Sequence, residues 1–211
     1  MPVNGRIFAI GDIHGCLDKL ARLTQRIDAS RNDTIIFLGD YIDRGPDSAG
    51  VIEFLLDFRE KSPSNIIFLK GNHEVMLLDY LSGRNQESYL YYGGVDTSDS
   101  YSARYGKFSI PEEHQAFFNG LESFYQTEKY FFVHAGLKPG VPIPEQRDSD
   151  RLWIRWEFVK SDYDWGKRVI FGHTPFIVPR IEPNKIGIDT GAVYGRDLTC
   201  LVLPEVDFIF A

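Results

Sequence analysis

Five apolar runs in this chain end in the same kind of residue. IFAI (7–10) runs into Gly11, Asp12, Ile13, His14 and Gly15, and IIFL (35–38) into Gly39, Asp40, Tyr41, Ile42, Asp43, Arg44 and Gly45. IIFLK (66–70) runs into Gly71, Asn72, His73 and Glu74, YFFV (130–133) into His134, and VIF (169–171) into Gly172 and His173. Four of the five histidines lie in these loops; the fifth, His114, sits in PEEHQAFF, which reads as a surface helix. One Asp or His after a strand is an ordinary turn former or a satisfied polar side chain. Five such loops together supply imidazole, carboxylate and amide oxygen without thiolate, a hard-to-borderline ligand set suited to Mn²⁺, Fe or Zn²⁺ rather than copper.

The segments between these loops must bring them to one place. Short apolar runs at 6–10, 34–38 and 66–69 predict strands. Helices are predicted over 16–28, where Leu20, Leu23 and Ile27 share a face, over about 48–60, closed near Pro63, and from about 73 to Ser82-Gly83. Alternation of this kind predicts parallel pairing with right-handed crossovers and a ligand crevice at the strands' C-terminal ends. From 84 to 128 the pattern weakens into the Tyr- and Ser-rich YLYYGGVDTSDSYSARYG and a helix near 112–122, read here as a cap. The second half is β-rich, with strands at 130–133, 168–171, 185–188, 198–203 and 206–210. The last three, joined through YGRD and PEV, predict an antiparallel meander.

Composition narrows the class. A chain of 211 residues with 43% hydrophobic and 25% charged residues fits one soluble α/β domain, 1–211, with 84–128 as an insertion within it. A net charge of −7 argues against non-specific nucleic-acid binding. The apolar run in MPVNGRIFAIGD is too short for a signal-peptide core, and no run reaches the roughly 20 residues that span a bilayer. Cys16 and Cys200 are too few for a disulfide framework. A reducing cytoplasm, with no membrane partner, is the expected setting.

Taken in order, GDIHG, GDYIDRG, GNHE, HAG and GHT resemble the signature of the PPP-type metallophosphatases of the calcineurin-like metallophosphoesterase superfamily, most nearly the bacterial serine/threonine protein phosphatases. The resemblance takes in RLWIR (151–155) and GIDTGAVYG (187–195) as well. It implies a four-layer α/β/β/α sandwich, two mixed β-sheets flanked by helices. It also implies that Asp12, His14 and Asp40 hold one divalent ion and that Asp40 bridges to a second held by Asn72, His134 and His173, with Mn²⁺ the first expectation. Two such ions about 3.5–4 Å apart lower the pKa of a shared water towards about 7.

By the same resemblance His73 faces the leaving-group oxygen and Asp43 orients it, a proton transfer typically contributing 10²–10⁴-fold. Arg44 and Arg155 are the expected phosphate clamps, with Arg151 and Arg168 as rivals to Arg155. Glu74 reads as a loop-ordering hydrogen-bonder, and Asp189 and Thr190 as residues ordering the strand behind the site. Tyr91, Tyr92, Tyr101 and Tyr105 are assigned to cap packing.

The leading expectation is a dinuclear phosphomonoesterase acting on phosphoserine or phosphothreonine of a phosphoprotein or phosphopeptide. The alternative is a dinucleoside tetraphosphate hydrolase; its symmetrical members lack the Asp of the Asp-Arg-Gly element, so Asp43 favours the monoesterase. A third reading, of another class, is a non-catalytic phosphate-binding module.

Overall fold

In the computed structural model, which describes residues 5–211, the chain forms two five-stranded sheets. Residues 1–4, the start of the N-terminal stretch weighed above as a leader, lie outside the described part. The first half runs β1 (Ile7–Ile10), α1 (Leu17–Gln25), β2 (Thr34–Phe37), α2 (Ser48–Lys61), β3 (Asn65–Phe68) and α3 (Asn72–Leu81). Helix α2 begins where Asp47 accepts from the Gly50 N–H (2.9 Å), and it ends with Arg59 and Lys61 against its carbonyl end.

Next come α4 (Gln86–Tyr89), a wide turn over 90–94, α5 (Val95–Tyr105), α6 (Glu112–Asn119) and β4 (Phe124–Gln126). The chain continues through β5 (Tyr130–Val133), α7 (Asp148–Trp153), α8 (Trp156–Val159), β6 (Arg168–Phe171), β7 (Arg180–Ile181), β8 (Lys185–Gly187), β9 (Thr199–Leu203) and β10 (Asp207–Phe210).

The first sheet has the order β10-β9-β1-β2-β3, the second β4-β5-β6-β8-β7. Strands β1, β2 and β3 are parallel, as are β5, β6 and β8; β4, β7, β9 and β10 pair antiparallel, so both sheets are mixed. The expected meander is therefore only partly formed. Strands β9 and β10 make an antiparallel hairpin on β1, but β8 belongs to the other sheet. The chain crosses between sheets through Gly191, whose φ of 75° starts the turn at 192–194.

Side-chain alternation explains the layering. In β1, Phe8 and Ile10 pack with the helices, while Ile7 and Ala9 face the other sheet; in β2, Ile35 and Phe37 oppose Ile36 in the same way. Phe132 and Ile170 answer from the second sheet, whose other face sends Phe131, Val133, Val169 and Phe171 against Ile154, Phe158 and Val159. Each central strand is thus covered on both sides, which is why its run reads as unbroken hydrophobicity. Cutting Ile36 or Ile170 to Ala would cost about 2–5 kcal/mol by leaving a cavity between the sheets. Among the described residues no helix is long and apolar enough to cross a membrane.

Candidate metal centre

The polar loops meet where the parallel strands of the two sheets end. Ile13 and His14 both donate their backbone N–H to the Asp40 carbonyl (3.0 and 2.9 Å), and Gly15 donates to Tyr41 (2.8 Å). This clasp requires a residue without Cβ at Gly45, where a Cβ would lie 1.8 Å from the His14 carbonyl oxygen. Asn72 and His73 open α3 directly after β3, and His134 follows β5. His173 lies two residues beyond β6, tied back by Gly172 N–H donating to the His134 carbonyl (2.8 Å).

Among the described residues seven non-glycine residues have positive φ, and five of them are site residues: His14 (45°), Asp40 (52°), Asp43 (71°), Arg44 (66°) and His173 (61°). Left-handed backbone costs an L-residue on the order of 1–2 kcal/mol. Such outliers persist where the surroundings over-determine them, and they gather at functional sites.

Asp12, His14, Asp40, Asn72, His134 and His173 are all buried and all come together here. Asp40 stands in the middle. Its Oδ2 faces His14 Nε2 (3.5 Å), its Oδ1 faces His134 Nε2 (3.4 Å), and two groups, His14–Asp40–His73 and Asp40–His134–His173, cluster their ligand atoms within 4.8 Å. Asp12 accepts from the His173 backbone N–H with both oxygens (3.1 and 3.0 Å).

Hydrogen bonds outside the cluster fix the imidazole tautomers. His14 Nδ1 donates to the Ile42 carbonyl (2.8 Å) and His134 Nδ1 to the Leu38 carbonyl (2.9 Å), so each presents a bare Nε2 inward. His134 Nε2 then faces another acceptor, Asn72 Oδ1, at 2.9 Å, while His173 Nε2 is buried without any partner. Acceptor facing acceptor in a buried pocket is what a cation resolves.

Electrostatics agree. Burial pushes His14 down to about 3 against the pull of Asp40; burial and then His134 push His173 down to about 2, and burial lowers His134. Burial, with Asp189 and Asp40 as like charges, holds the Asp12 carboxyl well above the usual range. Burial also opposes the Asp40 charge, but His134, His73, His14 and His173 outweigh it and keep Asp40 ionised. Neutral imidazoles around crowded carboxylates fit a pair of divalent cations sharing Asp40.

His73 differs from the other three. Its Nδ1 contacts Asp43 Oδ2 at 2.7 Å, and although burial lowers its pKa, Asp40 and Asp43 together raise it above the ordinary value. Its Nε2 lies 4.0 Å from Asp40 Oδ2, and its ring stands edge-on to His14 with centroids 4.7 Å apart. One imidazole is thus held for a proton while its neighbours are held bare.

Arg44 places Nη1 3.0 Å from His14 Nε2, and its charge acts on Asp12, His14 and His73. The Arg155 charge acts on His134, His173 and Asp189, and Asp189 also feels Arg44. The rivals to Arg155 are engaged elsewhere: Arg151 with Asp148 (3.0 Å) and Arg168 with the Glu182 carbonyl (3.0 Å). Glu74 accepts from the backbone N–H groups of Asp40, Tyr41 and Gly71 (3.0, 2.8 and 2.9 Å). Asp189 accepts from Gly191 N–H (2.9 Å), and Thr190 donates to the Asp197 carbonyl (2.6 Å).

Two sequence readings are corrected at this site. His114 is buried, because α6 turns it inward to meet the Tyr101 hydroxyl of α5 at 2.8 Å. The assignment of four tyrosines to cap packing is corrected too: Tyr91, Tyr92 and Tyr105 are exposed, and only Tyr101 is buried. Sequence reasoning missed Tyr89 and Thr97, which reach Asp43, and the two carbonyls that lock His14 and His134. Backbone carbonyls leave no compositional trace, and nothing in the spacing singles out Tyr89 or Thr97.

Residues 5–211 match the family described as calcineurin-like phosphoesterase. The asymmetrical bis(5'-nucleosyl)-tetraphosphatase PrpE of Oceanobacillus iheyensis is 27% identical over 237 residues, covering 97% of this chain and 91% of that protein. In fold, the chain is similar to a candidate diadenosine tetraphosphatase of known structure (TM-score 0.78, 24% identity, 100% of this chain and 95% of that one). It is similar also to a cold-active protein tyrosine phosphatase (TM-score 0.74, 17% identity, 100% of this chain and 78% of that one).

Proposed function

We propose that this chain, which belongs to the calcineurin-like phosphoesterase family, is a metal-dependent hydrolase of dinucleoside tetraphosphates. The observation that carries this reading is the near end-to-end match to an asymmetrical bis(5'-nucleosyl)-tetraphosphatase. It reverses the order expected from Asp43, which contrasted monoesterases only with the symmetrical hydrolases.

In this reading Asp12, His14 and Asp40 would hold one divalent ion, and Asp40, Asn72, His134 and His173 the other, with Mn²⁺ the first choice. Bound there, the ions would supply Lewis acidity and a water of lowered pKa. The protein's own groups do the rest. Arg44 and Arg155 would grip phosphate oxygens with guanidinium forks. A water oxygen would form a bond to one phosphorus, giving up its proton to solvent, as the P–O–P bridge beside it breaks, and His73, held by Asp43, would give its proton to the departing bridge oxygen. The free thiols of Cys16 and Cys200 suit the reducing cytoplasm we assign to it.

A second reading keeps its place because of one distance. A phosphate leaving group needs little help from an acid, yet His73 and Asp43 make a 2.7 Å pair, equipment suited to an alkoxide such as a serine side chain. The deciding measurement compares kcat/KM on diadenosine tetraphosphate and on phosphoserine peptides, with products resolved and bound metal quantified. ATP plus AMP as the preferred products supports the proposal. Higher kcat/KM on phosphopeptides would reinstate the phosphomonoesterase, and no bound metal after Mn²⁺ incubation would point to a binding module.

A further inference from the structure

We infer that Tyr89 and Thr97, from the Tyr- and Ser-rich segment, are positioning residues that hold the Asp43 carboxylate against His73. This inference rests on the reading of His73 and Asp43 as the pair on the leaving-group side. Asp43 is fully buried, and its two oxygens divide their work: Oδ2 meets His73 Nδ1 at 2.7 Å, and Oδ1 accepts from the hydroxyls of Tyr89 (2.9 Å) and Thr97 (2.6 Å). Both donors are also fully buried.

Thr97 is engaged three times, its hydroxyl lying 3.0 Å from Ser48 Oγ as well as bonding Asp43 at two atoms. Its hydroxyl gives its one proton to the carboxylate and, through its lone pair, accepts the Asp43 backbone N–H at 2.9 Å. The same N–H also reaches Ser48 Oγ at 3.0 Å. A single side chain from α5 therefore fixes both the main chain and the carboxylate of a residue held at φ 71°. Hydroxyl-to-carboxylate bonds are charge-assisted and short, and two of them on one oxygen stop the group from rotating about its χ2.

The next residue is held from the same segment. Arg44 N–H donates to the Gly93 carbonyl (3.2 Å), and Gly93 has a φ of 111° with a Cβ position only 2.7 Å from Arg44 Cγ. Residues 89–97 thus set the position of the proton-donor pair and of a phosphate clamp together. The segment is part of the reaction's scaffold as well as packing for the cap.

The consequence is a loss in turnover with little loss in substrate affinity. Removing a group that orients another typically costs 10–100-fold. Thr97→Val keeps the shape, and Asp43 N–H keeps Ser48, so the variant is expected to fold; Tyr89→Phe is a second, independent probe. Each is expected to lower kcat about 10-fold, with KM within about twofold, on whichever of diadenosine tetraphosphate or a phosphoserine peptide the wild type turns over. Thr97→Ser should restore the rate. In the NMR spectrum of the protein without added metal, the downfield His73 Nδ1–H signal should broaden or move in T97V and Y89F and return in T97S.

Asp43→Asn is the companion variant. If D43N slows turnover while T97V and Y89F keep both wild-type kcat and the wild-type signal, the inference falls and the reading of the pair stands. If D43N itself turns over at the wild-type rate, the reading of the pair fails and the inference with it. Loss of kcat in T97V that T97S does not rescue would also overturn it.

Discussion

Glu74→Gln tests how the centre is held together. The wild-type carboxylate is buried and faces three backbone donors: Tyr41 N–H on Oε1, and Asp40 and Gly71 N–H on Oε2. Burial, with Asp40 as a like charge, pushes its pKa up to about 8. A proton on either oxygen would nevertheless point at an N–H, so the surroundings are built for an acceptor on both sides. Glutamine has one acceptor. Its better orientation gives the carbonyl to Asp40 and Gly71 and turns the NH₂ group on Tyr41 N–H, donor against donor.

A buried donor left unpaired costs about 1–3 kcal/mol, and two bonds that lose their charged acceptor weaken by about 1 kcal/mol each. Relief of the repulsion with Asp40 offsets part of this, leaving an expected destabilisation of about 2–4 kcal/mol. Because two of the three donors belong to the loop that carries Asp40, Mn²⁺ affinity should fall about 10–100-fold. Urea unfolding with and without Mn²⁺, and competition against a chelating dye, measure the two effects. An E74Q protein with wild-type stability and wild-type affinity would mean that the carboxyl is already neutral and that the amide replaces it, which would refute the anion-centred account of this loop.

Other perturbations follow from the same geometry. His73→Ala should bind Mn²⁺ normally yet slow hydrolysis of alkyl phosphates far more than of activated aryl phosphates, and an equal loss on both would remove its role as proton donor. Mn²⁺ at 100 times its Kd should stabilise the wild type by about 2.7 kcal/mol in urea unfolding, and Asp40→Asn should abolish most of that gain; unchanged metal-dependent stability in D40N would exclude Asp40 as the shared ligand. Far from the centre, burial raises the Asp33 pKa, but the backbone N–H groups of Ser30 and Arg6 (both 2.7 Å) outweigh it and bring it down to about 2. A depressed folded pKa gives stability that is present above about pH 4 and lost as pH falls through about 2. Asp33→Asn should therefore cost about 2 kcal/mol at neutral pH, with the two proteins converging in acid; a pH-independent difference would refute the assignment.

Much of this candidate site is legible because residue types that could hold a metal sit where strand topology delivers them. A parallel strand delivers its last residues to the crevice, so Asp12, Asp40, Asn72 and His134 announce themselves by following apolar runs. Helix α5 was not legible. Its buried face is Thr97, Ser100 and Tyr101, two of them polar, so no apolar stripe marks it; Thr97 meets Asp43 and Ser48, Ser100 takes the Ala49 N–H, and only Tyr101 joins the apolar core. His114 was misread for a related reason, since its partner is a tyrosine hydroxyl distant from any motif. The passage from β8 to β9 between sheets leaves no signature either, because β8 is only the three residues Lys185–Gly187 and the turn between the strands would serve either pairing.

The five left-handed site residues show why the centre has so many carboxylates. Each has its backbone N–H taken by a different part of the chain: His14 by the Asp40 carbonyl, Asp40 by Glu74, Asp43 by Thr97 and Ser48, Arg44 by the Gly93 carbonyl, and His173 by Asp12. Two of these acceptors, Glu74 and Asp12, are buried carboxylates that would be costly to keep ionised in a site without cations. They are doing two jobs at once, holding strained backbone through charge-assisted bonds and giving the pocket its demand for positive charge. Strain, ligand placement and cation affinity therefore depend on the same few hydrogen bonds, and a substitution that relaxes one of them weakens the other two.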